Sequence, residues 1–175
     1  FLFAVLYVWL AGPTIRSIVV GAVFVVLGLA LRGWASGCLR KNEQLTTSGP
    51  YAYTRNPLYL GSLILALGFV IAGRSWWIAG AAGTFFVLIY LPVIHAEEKF
   101  LRQQFPEFED YAREVPRLLP RIVQRKVDSG GRVARGHTSS NGFSWDLYRR
   151  HREYNALLGS IAMLAVLAFK LMDLL

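Results

Sequence analysis

The chain has 175 residues, 54% of them hydrophobic and 17% charged, with a formal net charge of +8. That length fits one domain, and that apolar share excludes an ordinary soluble one, so the composition reads as an integral membrane protein. A single cysteine, Cys38, excludes an internal disulfide framework and supplies no metal-ligand spacing; it reads as a small buried hydrophobe.

The sequence opens at Phe1 inside an apolar run. Phe1 to Leu10 is too short to span a bilayer and ends at Gly12-Pro13, so it is expected to be the tail of a truncated first membrane helix. Ile15 to roughly Ser36 supplies about twenty residues, enough to cross, and Arg32 near its end is expected to snorkel to the headgroups. Residues 37–57 are polar and lead into Leu58 to Gly73 and Ser75 to roughly Ile94, two apolar stretches separated by little more than Arg74. This predicts a tight helical hairpin, with Trp76 and Trp77 as interfacial anchors beside its turn. Gly61, Gly68, Ala72, Ala79 and Gly83 are small residues that let helices approach closely.

Pro92 predicts a kink, after which the helix continues through His95-Ala96-Glu97-Glu98-Lys99-Phe100-Leu101 as an amphipathic extension. Phe105 to Pro120 is a compact aromatic and charged segment, and the Gly-, Ser- and Arg-rich Asp128 to Gly142 is expected to be a mobile connection. Ser144 is placed to cap a further helix, Trp145 to Asn155 reads as an interfacial approach, and Ala156 to Leu171 as a last apolar helix. The expected fold is therefore all-α, a polytopic transmembrane bundle of about five membrane helices with a cytosolic cofactor pocket. It forms one domain over 1–175, made of an N-terminal part (1–57), a hairpin and cofactor segment (58–120) and a linker with a C-terminal helix (121–175).

Sixteen of the nineteen Lys and Arg residues fall in 32–55 and 99–152; only Arg16, Arg74 and Lys170 lie elsewhere. This positive-inside bias assigns residues 33–57 and 97–155 to the cytoplasm, and anionic lipid headgroups account for the charge without nucleic acid.

Two features carry chemistry. The first is Gly49-Pro50-Tyr51-Ala52-Tyr53-Thr54-Arg55-Asn56-Pro57-Leu58-Tyr59-Leu60-Gly61, a proline-punctuated loop running into an apolar helix. Pro57 suits the first helical position, and the free N–H groups of that turn, with Arg55, Asn56 and the tyrosines around them, suit a small ligand bearing an anionic group. The tyrosines also fit as interfacial aromatics and Arg55 as a phosphate anchor. The second feature is Glu97-Glu98. Adjacent helix positions point about 100° apart, so each carboxylate needs its own account. Glu98 precedes Arg102 by four residues, the order that favours a helical ion pair. Glu97 stacks with Val93 and Leu101 on the face expected to meet the bundle, where a carboxylate suits an ammonium ligand. His95 has no second histidine or cysteine at ligand spacing, so no metal site is expected, and no GxGxxG or phosphate-loop motif is present.

GPYAYTRNPLYLG, a hairpin, Glu97-Glu98 and then Phe105…Tyr111…Val115-Pro116 together resemble the isoprenylcysteine carboxyl methyltransferase and phospholipid methyltransferase superfamily of membrane enzymes. The resemblance covers roughly residues 36–120. It implies S-adenosyl-L-methionine bound at the cytosolic helix ends, by Glu43, Gln44, Leu45, Thr46, Tyr51, Asn56, Pro57, Leu58, Tyr59 and Glu97. It further implies methyl transfer to a lipophilic acceptor entering from the lipid, a carboxylate of an isoprenylcysteine-like substrate or another small lipophilic molecule, with Arg55 orienting an anionic acceptor. Two departures stand out: the family's usual Arg-His-Pro is Arg55-Asn56-Pro57, and a substrate-binding arginine one turn before the first glutamate is Val93. Phospholipid N-methylation, an NADPH-dependent sterol-type reductase and a non-catalytic membrane protein are the competing expectations.

Overall fold

The computed structural model describes residues 2–40, 44–121 and 143–173; Glu43 and the connection 128–142 lie outside them. The described residues form helices and connecting turns: α1 Leu2–Leu10, α2 Ile15–Cys38, α3 Pro57–Gly73, α4 Trp76–Gln104, α5 Phe108–Glu114, α6 Trp145–Arg150 and α7 Tyr154–Asp173. The helices α2, α4 and α7 are long and apolar enough to cross a membrane, and α3 is a shorter apolar helix. At 17 residues α3 reaches about 26 Å.

The tightest packing joins α2 to α3, and small residues are its cause. A Cβ on Gly21 would lie 2.5 Å from the Gly68 carbonyl oxygen, and one on Gly28 would lie 2.7 Å from that of Gly61. Both helix backbones therefore touch where side chains are missing. Ser17 adds a hydrogen bond across this seam to the carbonyl oxygen of Ala72 at 3.1 Å. Gly61, Gly68 and Ala72 thus serve close approach as expected, with α2 as their partner. Gly83 of α4 has open space where a Cβ would stand, so α4 is not drawn onto α3 in the same way.

Arg74 turns the hairpin in the left-handed region (φ 48°, ψ 40°), and Trp76 and Trp77 beside it are 92% and 78% exposed. At the same end Lys170 of α7 donates to the carbonyl oxygens of Val8 (2.7 Å), Trp9 (3.3 Å) and Ala11 (2.6 Å). It thereby satisfies the free acceptors at the end of α1. The return of the chain to the other end is fixed by Ser144, whose N–H donates to the Gly37 carbonyl oxygen at 2.9 Å. Ser144 occupies the cap position of α6, but its side chain makes no cap bond.

Pro92 does more than kink α4. The preceding turn, Phe86–Tyr90, is a π-helix in which the Leu91 N–H donates back to the Phe86 carbonyl oxygen. Pro92 has no N–H to give, and a widened turn ahead of it accommodates the break. One extra residue in a turn rotates everything beyond it by about 100°. Ile94 and Glu98 consequently form the buried stripe of the extension, while Val93 is 45% exposed and Glu97 sits at the stripe's edge. The expectation that Val93, Glu97 and Leu101 face the bundle is corrected by this one-position rotation.

Candidate functional site

The loop that carries the motif is built before any ligand is considered. Gly49 has φ 60°, a conformation that strains an L side chain, and a Cβ there would lie 3.0 Å from Cys38 Sγ. A 3-10 turn over Gly49–Ala52 follows, burying Pro50 and Tyr51. Asn56 precedes Pro57 at the first position of α3, as the sequence predicts, without a side-chain cap bond. The segment 115–121 then returns to clamp the loop. The Arg55 N–H donates to the Pro116 carbonyl oxygen at 2.9 Å, the Arg121 N–H donates to that of Tyr53 at 2.9 Å, and Thr54 Oγ1 donates to those of Arg117 and Leu118 at 3.1 Å each.

Glu98 locks this clamp. It is 2% exposed and accepts from Arg117 Nε (3.1 Å to each oxygen) and Nη2 (2.8 Å). Arg55 Nη1 lies 3.3 Å from its Oε1, and Asn56 Nδ2 donates to Glu98 at 3.4 Å and to the Arg117 carbonyl oxygen at 3.0 Å. The expected Glu98–Arg102 pair does not form: Arg102 donates to Glu109 at 2.7 Å and lies 5.6 Å over the Phe108 ring. Helical spacing brings Arg102 near Glu98 only along the exposed side, whereas a dehydrated carboxylate takes the donors that the returning segment buries with it. Arg117 also reaches His95, whose Nδ1 donates to the Leu91 carbonyl oxygen at 2.7 Å while Nε2 accepts from Arg117 Nη1 at 3.0 Å.

Glu97 has the opposite surroundings. Tyr59 donates to its Oε2 at 2.7 Å, and among the described residues no cation pairs with it. Tyr51 stands nearby: burial first, and then the negative charge of Glu97, push its phenol up, so it stays protonated. Tyr111 supports Tyr51 from behind, donating to its carbonyl oxygen at 2.8 Å, and burial pushes the Tyr111 phenol up as well. Tyr51, Tyr59 and Glu97 are thus brought together, with Pro57 and Leu58 in the same first turn as Tyr59. Thr46 is buried and accepts from the Arg40 N–H at 3.3 Å; Leu45 is half-buried beside it. Glu43 is outside the described residues. Among the described residues, three buried side-chain nitrogens have no hydrogen-bond partner: Nε2 of Gln44 and Nε of Arg55 in these segments, and Nδ1 of His151 in the C-terminal part.

An S-adenosylmethionine molecule carries an ammonium and a carboxylate, and these residues offer a complement to each. Glu97 lacks a cation, and Gln44 and Arg55 hold buried N–H groups without acceptors. The donor set fits such a ligand.

Beside the site, α1, α3 and α4 border an open cavity of about 920 Å3, lined by apolar side chains such as Leu63, Val70, Ala82 and Phe86. Its wall includes Tyr90, whose ring meets that of Tyr59 edge-on at 5.7 Å between centroids. Arg32 is also on this wall. It is held by Glu153 (Nε to Oε2 3.0 Å, Nη2 to Oε1 2.9 Å) and by Ser62, partners that the sequence expectation for this residue did not include. An oppositely charged partner 121 residues away holds it in the bundle. Sequence reasoning missed Arg117, Glu153 and this use of Arg32, because each depends on a distant segment folding back. Val115-Pro116 was the one local sign that the segment matters.

The described residues thus form a bundle of apolar helices with a polar motif loop and a pair of carboxylates at one end. The chain belongs to the phospholipid methyltransferase family, which it matches over residues 7–107, within the superfamily of isoprenylcysteine carboxyl methyltransferase-like membrane methyltransferases. It is 40% identical over 101 residues to the cobalt-zinc-cadmium resistance protein CzcN of Cupriavidus metallidurans, covering 58% of this chain and 45% of that protein. It is 35% identical over 112 residues to the nickel-cobalt-cadmium resistance protein NccN of Alcaligenes xylosoxydans xylosoxydans, covering 63% of this chain and 53% of that protein. The chain therefore spans about half the length of these curated relatives. No solved structure matches it.

Proposed function

We propose that this chain is a multi-pass membrane methyltransferase that uses S-adenosyl-L-methionine to methylate a lipophilic acceptor, with its site on the cytoplasmic side. The observation that carries the reading is Glu97: a half-buried carboxylate, held by one neutral phenol, with no cation among the described residues. A carboxylate in that state suits an incoming ammonium group. The family membership and the distribution of basic residues support the class and the side.

When bound, S-adenosylmethionine supplies a methyl group on a sulfonium, whose departure leaves a neutral thioether. Glu97, oriented by Tyr59, would take the ammonium end. The unpartnered N–H groups of Gln44 and Arg55 would take the carboxylate end, and Tyr51 would stay a neutral wall because its proton is held. Leu45, Thr46, Asn56, Pro57 and Leu58 would complete the cradle, with Glu43 beyond the described residues. Since the leaving group needs no proton, the residues contribute mainly orientation and exclusion of water. Arg55 is fixed on one side by Glu98, and its unpartnered Nε would meet an anionic ligand group. The acceptor lies in the apolar cavity, whose volume falls in the usual range for ligand sites of about 300–1,000 Å3. The curated relatives are named for metal resistance, and the methyl-transfer reading rests on the site and the family instead.

The test is calorimetric binding of S-adenosylmethionine to the purified chain in nanodiscs, with NADPH as control. Saturable binding of the former alone is expected, weakened about 10–100-fold in Glu97→Gln, the loss that follows from removing a charged hydrogen-bond partner. Binding of NADPH alone would move the reading to a reductase. Binding of neither by folded protein would leave a non-catalytic one.

A further inference from the structure

Among the described residues the cavity has one charged side chain on its wall, Arg32, and the family match, which ends at residue 107, does not include the residue that holds it. Arg32 engages Glu153 through Nε and Nη2 and Ser62 through Nη1. A guanidinium has five N–H groups, so one on Nη1 and one on Nη2 remain. Glu153 is not part of the cavity wall and its side chain is 10% exposed, against 24% for Arg32. The carboxylate therefore stands behind the guanidinium, and the cavity meets the cation first.

The position of this pair matters as much as its charge. Ser62 is one helical turn beyond Tyr59 on α3, and its hydroxyl donates to the Leu58 carbonyl oxygen at 3.0 Å. Tyr90, on the same wall, touches the Tyr59 ring that orients Glu97. The polar end of the cavity therefore adjoins the candidate cofactor site, while its other end runs to Leu10 and Ile78 beside the hairpin turn. A charge kept on an otherwise apolar wall, with a dedicated partner behind it, is characteristic of a binding function.

We infer that Arg32, held from behind by Glu153, is the headgroup site of the acceptor cavity and binds an oxyanion, a carboxylate or phosphate oxygen, of a molecule whose apolar chain fills the cavity. Glu153 keeps the fork oriented, and the two remaining N–H groups match two oxygens of one planar or tetrahedral anion. The inference rests on the reading of this site as a methyltransferase for a lipophilic acceptor, whose substrate class it narrows.

The experiment is competition against a fluorescent palmitate analogue on the full chain in detergent, without cofactor. The competitors share one chain length: palmitate, hexadecyl phosphate, hexadecanol and hexadecylamine. At least one oxyanion is expected to compete about tenfold better than hexadecanol, and the better of the two identifies the source of the oxygen. Arg32→Gln is expected to erase that advantage and leave hexadecanol unchanged. Equal competition by hexadecanol, tighter binding of hexadecylamine, or an oxyanion preference that survives in Arg32→Gln would overturn the inference. Should Arg32→Gln fail to fold, Glu153→Gln keeps the guanidinium and removes the competing carboxylate. The amide oxygen of that variant still accepts from Arg32 and keeps the fork in place while the competing charge is gone. Oxyanion binding should then tighten about threefold or more, and unchanged or weaker binding contradicts the assignment. Because no cofactor is present, failure here is separable from failure of S-adenosylmethionine binding.

Discussion

Glu97 and Glu98 are neighbours in the chain and opposites in surroundings. Glu98 is enclosed by Arg55, Arg117 and Asn56, and its charge is spent on joining the motif loop to the segment 115–121. Glu97 is held by Tyr59, and among the described residues no cation pairs with it. The difference teaches that, in a paired-carboxylate motif, the more buried and better connected member is the architectural one. The less satisfied member is the candidate for chemistry.

The largest expected effect breaks the architectural half. Glu98→Ala strands two arginines around a buried site, and removing one partner of a buried ion pair costs about 3–5 kcal/mol. In a chain of this size that is a fall in thermal midpoint of about 10 °C, read by differential scanning fluorimetry in detergent. Glu97→Gln is expected to leave the midpoint nearly unchanged and to lose cofactor affinity about 10–100-fold. Tyr59→Phe removes only the orienting hydrogen bond, so cofactor affinity should drop by about fivefold, corresponding to about 1 kcal/mol. Arg102→Ala is the smallest: its pair with Glu109 is largely exposed, and a shift of less than about 1 kcal/mol in stability is expected. A large effect of Arg102→Ala would restore the sequence expectation of a Glu98–Arg102 pair.

The same contrast shows what was legible in the sequence. The hairpin turning at Arg74, the Pro57 helix start and the small residues Gly61, Gly68 and Ala72 were legible because each is local chemistry of a few residues. Glu97 was chosen as the ligand carboxylate on grounds that the structure changes. It was read from a bundle-facing stripe with Val93, whereas the π-turn ahead of Pro92 rotates that stripe onto Ile94 and Glu98. A helical wheel assumes a uniform period, and one inserted residue defeats it. Arg117, Arg32 with Glu153, and Lys170 against the end of α1 were illegible for another reason. Their partners lie 19, 121 and about 160 residues away, and no spacing rule spans such distances.

The central claim is that the two carboxylates divide structure from ligand binding. Its most direct test is a paired measurement of thermal midpoint and S-adenosylmethionine dissociation constant for wild type, Glu97→Gln and Glu98→Gln. The account predicts that Glu97→Gln loses the ligand at an unchanged midpoint. Glu98→Gln should lose midpoint, and its remaining folded fraction should still bind. Equal losses of both quantities in both variants, or ligand binding undisturbed in Glu97→Gln, would contradict it.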